Sequence, residues 1–236
     1  MFLIKRITGY RRALLILAVT IAPASLALSQ DYLWSVRISP FISWLHPNIN
    51  SVDNQGTRAG FDLSVSVEKY FADHFAFTGG ISFINSGGRL KSDAPYAFKF
   101  HGSTPVIPAG SPVIYKIQFL SLPVGLKFKT EENNLISWFG EAGFDPEVVI
   151  RGRVDIPVLD LKDRRAMTEI KLFNIGYHLT GGVNYSLGES TSLSFGLSFV
   201  NNFLDITKDV NGQETDKTTQ RFLKFVFGVN FLPSWQ

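Results

Sequence analysis

The chain has 236 residues, with 23 lysines and arginines against 20 aspartates and glutamates, a formal charge of +3, and no cysteine. Without cysteine it can carry no disulfide staple, no thiolate metal site and no lipid-modified cysteine. The basic excess belongs to residues 1–29, which hold Lys5, Arg6, Arg11 and Arg12 and no acid; the rest has 19 basic against 20 acidic groups, a net charge of −1 that gives no argument for a nucleic-acid partner.

Four basic residues followed by the uncharged apolar run Ala13 to Leu28 read as a cleavable signal peptide over 1–29. Ala27 and Ser29 suit cleavage before Gln30, and Ser25 and Ala27 offer a site two residues earlier. An uncleaved anchor is the weaker reading, because the run is short for a span and contains Pro23. Residues 30–236 then form one domain.

Eight segments of that domain alternate with period two, the mark of β-strands. In the first, about 34–44, Trp34, Val36, Ile38, Ile42 and Trp44 oppose Ser35, Arg37, Ser39 and Ser43. Turn-rich residues 46–57 lead to the second, 58–70, where Phe61, Leu63, Val65 and Val67 oppose Asp62, Ser64, Ser66 and Glu68. A tight Tyr70–His74 connection opens the third, with Phe75, Phe77, Ile81 and Phe83 on one face. Residues 86–112, with Pro95, Pro105, Pro108 and Pro112, read as a loop.

The fourth segment, 114–128, starts with Tyr115, Ile117 and Phe119 on one parity and continues with Leu120, Leu122, Val124 and Leu126 on the other, which predicts a bulge near Phe119. After a polar turn, Ile136, Trp138, Ala142 and Phe144 oppose Ser137, Glu141 and Gly143 in the fifth. Residues 151–169 mix Arg151, Arg153, Arg164 and Arg165 with Asp155, Asp160 and Asp163 and read as a second long loop. The sixth, 171–186, sets Phe173, Ile175, Tyr177, Leu179, Val183 and Tyr185 against Asn174, Gly176, His178, Thr180, Gly182 and Asn184. A tight turn leads to the seventh, with Leu193, Phe195, Leu197 and Phe199, and residues 205–219 lead to the eighth, with Leu223, Phe225, Phe227, Val229 and Phe231.

Connections after the second, fourth and sixth segments are short and the others long. That asymmetry predicts an all-β fold, an eight-stranded antiparallel up-and-down transmembrane β-barrel in the bacterial outer membrane, with short turns facing the periplasm. A soluble barrel would hide its apolar face inside. Here the opposite face is rich in Ser, Gly, Asn and Thr, which suits a narrow interior, while the apolar face carries Trp and Tyr near strand ends as in a membrane girdle. With the apolar face outward, Arg37, Lys116 and Lys224 point inward with Asp62, Glu68 and Glu141, a salt-bridged lumen plug rather than a wide pore. His178 and Asn174 join them as polar lumen residues.

Several segments resemble the porin-family or PorT-like outer-membrane barrels of Bacteroidetes: ISPFISW at 38–44, EKYF at 68–71 with FTGGI at 77–81, YKIQFLSLPVGLKF at 115–128, FGEAGF at 139–144 and FGVNF at 227–231. The resemblance implies an eight-stranded barrel, and some members of that family serve protein secretion and gliding. It brings no catalytic, cofactor or ligand motif. Pro233 stands where the usual assembly signal has its next aromatic residue.

Chemistry is sparse. His46, His74 and His101 fall at a strand end, a turn and a loop, as surface histidines do. A lipid-modifying enzyme could use His178 with Ser194 or Ser198 and Glu141 or Glu147, but no spacing selects these partners and a hydrogen-bonded lumen histidine is favoured. Asp155, Asp160 and Asp163 could hold calcium, although the interleaved arginines better suit a solvated loop or one that meets lipopolysaccharide phosphates. The sequence thus points to a non-enzymatic barrel without cofactor, a structural or accessory subunit acting through extracellular loops, with outer-membrane lipids, lipopolysaccharide and an outer-membrane protein complex as partners. A narrow passive pore is the alternative and a lipid-modifying enzyme the third.

Overall fold

The computed structural model describes residues 32–48, 52–100, 103–207 and 217–232. The expected signal peptide, His101 and Pro233 lie outside them.

Eight strands make the wall: β1 (Tyr32–Pro47), β2 (Arg58–Ala72), β3 (Phe75–Ser92), β4 in two segments (Pro112–Ser121 and Val124–Lys129), β5 (Ile136–Ile156), β6 (Phe173–Ser186), β7 (Thr191–Asn202) and β8 (Thr218–Phe231). Each pairs antiparallel with the next. β8 closes the ring on β1, from Trp34 opposite Phe231 to Pro47 opposite Thr218. No backbone edge is then left in lipid, where unpaired amides would be costly. The register gives Ser39 and Pro40 no partner on β8, as expected for a proline without an amide hydrogen.

The turns after β2, β4 and β6 are short. Between β4 and β5, Asn134 and Leu135 both take positive φ, 50° and 68°, and the Asn133 and Ile136 amides each donate to the other residue's carbonyl, a tight turn that matches the strand twist. At the opposite end the long connections carry minor elements: Val52–Asn54 against β3, a Tyr96–Ala97 and Val106–Ile107 hairpin, and Leu161–Arg165 against β5.

The apolar face is outside. Val36, Ile38, Leu63, Val65, Phe77, Ile81, Leu126, Trp138, Phe144, Leu179, Leu197 and Phe227 are all exposed. Each such side chain forgoes about 1.5–3 kcal/mol of burial if it faces water. A band of them all round a closed wall is stable only against hydrocarbon.

The structure corrects the sequence reading of β4. Its parity never changes: Val113, Tyr115, Ile117, Phe119 and Ser121 are buried inside, as is Lys127, while Leu120, Leu122, Val124, Leu126 and Phe128 are exposed outside. The interior turns from polar to apolar along the strand, which imitates a parity shift. A bulge does lie at this height, but on β5. Gln118 pairs with Arg151 and Phe119 with Val149, leaving Ile150 unmatched. Below it Asp145, Glu147 and Val149 point inward; above it Val154 and Ile156 do, and Arg151, Arg153 and Asp155 are turned out.

Two presumed loops are partly strand. β3 continues to Ser92 through Ser86-Gly87-Gly88, where small residues erase the pattern. They are small for a reason, since a Cβ on Gly88 would sit 2.5 Å from Leu45 Cγ. β5 runs on to Ile156, its alternation hidden by the bulge. At 21 residues it exceeds what a span requires, about 9–11, so its upper part projects beyond the bilayer.

Candidate functional site

The bore is filled by two unlike layers. Toward the short turns it is polar. Ser35 donates to Asn230 at 2.7 Å, Asn230 to Ser194 at 2.6 Å, and Ser194 to Asn184 at 2.7 Å. Beside them lies a network of charges. Arg37 reaches Glu68 at 3.2 Å and Glu141 at 3.4 Å, and Lys127 reaches Glu68 at 2.5 Å. Tyr70 donates to Glu68 at 3.1 Å and Thr78 to Glu141 at 2.9 Å. Lys224 pairs with Asp62 at 2.6 Å, and Ser82 donates to the same carboxylate. Such pairs repay their desolvation only where the remaining lone pairs find donors, as these hydroxyls provide.

His178 is held between acids, with Nδ1 2.8 Å from Asp145 and Nε2 3.7 Å from Glu141. Glu147 takes the Asn202 amide at 2.8 Å, and its other oxygen has no hydrogen-bond partner among the described residues. Asn174, also buried, accepts the Ile175 amide at 2.8 Å. Within the network a cavity of about 70 Å³ remains, bordered by Arg37, Asp62, Glu141, Asp145, His178 and Lys224.

Toward the long loops the interior becomes an apolar core. Phe41, Leu45, Ile84, Tyr115, Ile117, Phe119, Val149, Val154 and Phe222 come from the wall, and Phe98, Phe100, Ile107, Ala166, Ile170 and Ile206 fold in from the loops. Phe41 meets Phe222 edge to face at 5.3 Å, and Phe98 packs on Phe100 at 4.8 Å. The lumen is therefore mainly polar toward the short turns and mainly apolar toward the long loops, where Ser43, Ser86 and Gln220 form a small buried hydrogen-bonded group among the apolar side chains.

Of the six charges assigned to the lumen from sequence, Arg37, Asp62, Glu68, Glu141 and Lys224 meet inside. Lys116 does not. It lies on the outer face of β4 and pairs with Asp155 at 2.5 Å, because Tyr115 and Ile117 occupy the inward positions. Lys127 and Asp145 escaped the sequence reading, and Glu147 entered it only as a candidate partner of His178. Lys127 sits between outward Leu126 and Phe128, a signal that strict alternation could have caught. Asp145 and Glu147 fall in the part of β5 beyond Phe144, where the reading of the fifth segment stops, although they pair with Gly176 and Asn174 of β6.

Neither chemical alternative gains a constellation. The ring nitrogens of His178 face carboxylates, while Thr180 donates to Ser198 and Ser194 donates to Asn184, and among the described residues no hydrogen bond joins either serine to the imidazole. Lys116 takes Asp155, Arg153 takes Asp163, and Lys162 lies 3.7 Å from Asp160. Among the described residues no group of three or more histidines and acids is placed to hold a metal ion. His46 is exposed, and His74 contacts the Lys129 carbonyl in its turn.

A closed antiparallel barrel with an apolar exterior and a filled polar-to-apolar bore defines an outer-membrane barrel protein. The chain belongs to the outer membrane protein beta-barrel domain family, whose model matches residues 28–208, and this places it in the bacterial outer membrane. No curated protein matches its sequence. Among solved structures it is similar to Neisserial surface protein A (14% identity, 85% of this chain and 97% of that one, TM-score 0.47). It is also similar to the attachment invasion locus protein Ail of Yersinia pestis (9%, 86% and 100%, 0.43) and to the outer membrane protein OprG of Pseudomonas aeruginosa (13%, 86% and 97%, 0.41).

Proposed function

We propose that the protein is a sealed outer-membrane barrel, a structural or accessory subunit that works through its loop-bearing end and its outer surface rather than by passing solutes through its bore. The observation that carries this reading is the double filling of the interior. An ion-paired layer anchored by Arg37, Glu68, Lys127, Asp62 and Lys224 lies beneath an apolar layer closed by Phe98 and Ile107 of the loops. An ion crossing the barrel would have to break buried salt bridges and then enter hydrocarbon-like packing, and each step is costly. An eight-stranded wall leaves room for little beyond its own side chains. The PorT-like resemblance of residues 115–128 points to protein secretion as the setting, with an outer-membrane complex as partner.

Two measurements test this. In planar bilayers the purified barrel is expected to show no steady conductance above the lipid baseline, and a large, stable open state would replace this reading with the passive pore. In mild detergent a stoichiometric protein partner is expected to co-purify from the native outer membrane.

A further inference from the structure

Above Ile150 the outer face of the wall changes from apolar to basic. Ile150 and Val148 are half exposed at the upper margin of the lipid-facing band, and the β5 bulge turns Arg151 outward directly after them. One rung higher, Lys116 of β4, Arg153 of β5 and Arg165 of the Leu161–Arg165 strand are cross-strand neighbours in a single row. Like charges on facing positions repel, so such a row costs stability unless anions sit on it. Two anions are built in, Asp155 on Lys116 and Asp163 on Arg153. They do not complete the set. Arg165 makes no ion pair among the described residues, and Arg151 approaches Asp163 only at 3.9 Å.

Arg151, Arg153 and Arg165, with Gln118 and Met167, surround a pocket of about 360 Å³ that Ile150 borders on the membrane side. Guanidinium groups present planar forks of donors that match phosphate oxygens in pairs. The pocket stands where the apolar band ends, at the level of lipid headgroups. We propose that it binds a phosphate group on the headgroup of an outer-leaflet lipid, a phosphorylated glycolipid, whose acyl chains run down the wall over Ile150 and Val148. Asp163 occupies Arg153, which leaves Arg151 and Arg165 as the phosphate's principal partners. A free phosphate ion shares this chemistry but gains nothing from the apolar wall below. The site is independent of whether the bore conducts.

The test is native mass spectrometry of the delipidated full-length barrel in non-ionic detergent, titrated separately with bis-phosphorylated lipid A, with enzymatically dephosphorylated lipid A and with inorganic phosphate. The phosphorylated lipid is expected to bind about tenfold tighter or more than the dephosphorylated one, a preference that weakens as salt rises. The Arg151→Gln/Arg165→Gln variant should lose that preference, whereas Lys69→Gln at the opposite rim should keep it. Equal binding of the two lipids to the wild-type protein overturns the proposal, and that comparison does not depend on any variant folding. An unchanged preference in the double variant overturns it as well. Inorganic phosphate that fills the site as tightly as the lipid overturns the lipid assignment.

Discussion

Lys224 of β8 and Asp62 of β2 meet at 2.6 Å across the inner face of β1, so the last strand is bound to the second over the one that closes the ring. Both side chains are at least nine-tenths buried. Removing one partner strands the other as an uncompensated charge, which typically costs about 3–5 kcal/mol. Lys224→Met should therefore lower the unfolding free energy of the refolded barrel, read from urea titration, by that order, as should Asp62→Leu. The double variant should recover most of the loss, because a well-packed apolar pair replaces a desolvated ionic one. A double variant as unstable as the sum of the single ones would mean that the pair is not the coupling unit.

Glu68 is the hub of its half of the interior, with Arg37, Lys127 and Tyr70 all on one carboxylate. Glu68→Gln leaves two buried cations short of charge, whereas Lys127→Met leaves Glu68 with Arg37 and Tyr70. The order of stability should be wild type, then Lys127→Met, then Glu68→Gln, read as the temperature at which the compact gel form converts to the unfolded one. The reverse order would make Lys127, not Glu68, the residue on which the layer depends.

Alternation was enough to place the eight strands, their order and the outward face, because a barrel wall between lipid and a narrow interior imposes period two on nearly every residue. It failed where the inside changed character. Tyr115, Ile117 and Phe119 are as apolar as the lipid face, so the eye shifts register at Leu120 although the strand does not. The same apolar stretch leaves Lys116 on the outer face, and the reading of the fifth segment stops at Phe144, short of Asp145 and Glu147 below the Ile150 bulge. The loops of the apolar cap have no period at all. Phe98 and Ile107 are legible as core only once β4 and β5 are in place to receive them.

Glycines of the wall separate into those that permit contact and those that face open lipid. A Cβ on Gly143 would lie 2.2 Å from the Val124 carbonyl oxygen and 2.7 Å from His178 Cε1, while one on Gly140 would meet nothing within 4 Å. Gly143→Val should slow or abolish folding into micelles by forcing β4 from β5 or displacing His178, and Gly140→Ala should fold at the wild-type rate. Intrinsic fluorescence during refolding distinguishes them. Equal rates would show that the strands accommodate a side chain at Gly143 by sliding.

Asp155 lies above the lipid-facing band, turned out beside Lys116. Partial burial alone would raise its carboxyl, but the hydrogen bond and charge of Lys116, the Asp163 amide at 2.7 Å and the charge of Arg58 hold it below the usual range. A depressed acid stabilises the fold fully above its unfolded value of about 3.9 and loses that contribution as pH falls through its folded value. Carbon NMR of the carboxyl should titrate with a midpoint below that of a free aspartate, and Lys116→Met should move the midpoint upward. An unmoved midpoint would mean that Lys116 does not hold the charge.

The two layers of the plug make separable demands. Deleting residues 96–107 removes Phe98 and Ile107 from the apolar cap but leaves Arg37, Glu68, Lys127 and Glu141 in place beneath it. Conductance in planar bilayers should stay at baseline after that deletion alone. Combined with Glu68→Ala and Lys127→Ala, which exchange two long buried side chains of the ion-paired layer for methyl groups, the same deletion should open a small ion path. Conductance from the loop deletion by itself would place the seal in the cap, and a closed double-layer variant would place it in the wall residues that remain, with Phe119 and Phe222 the next to truncate.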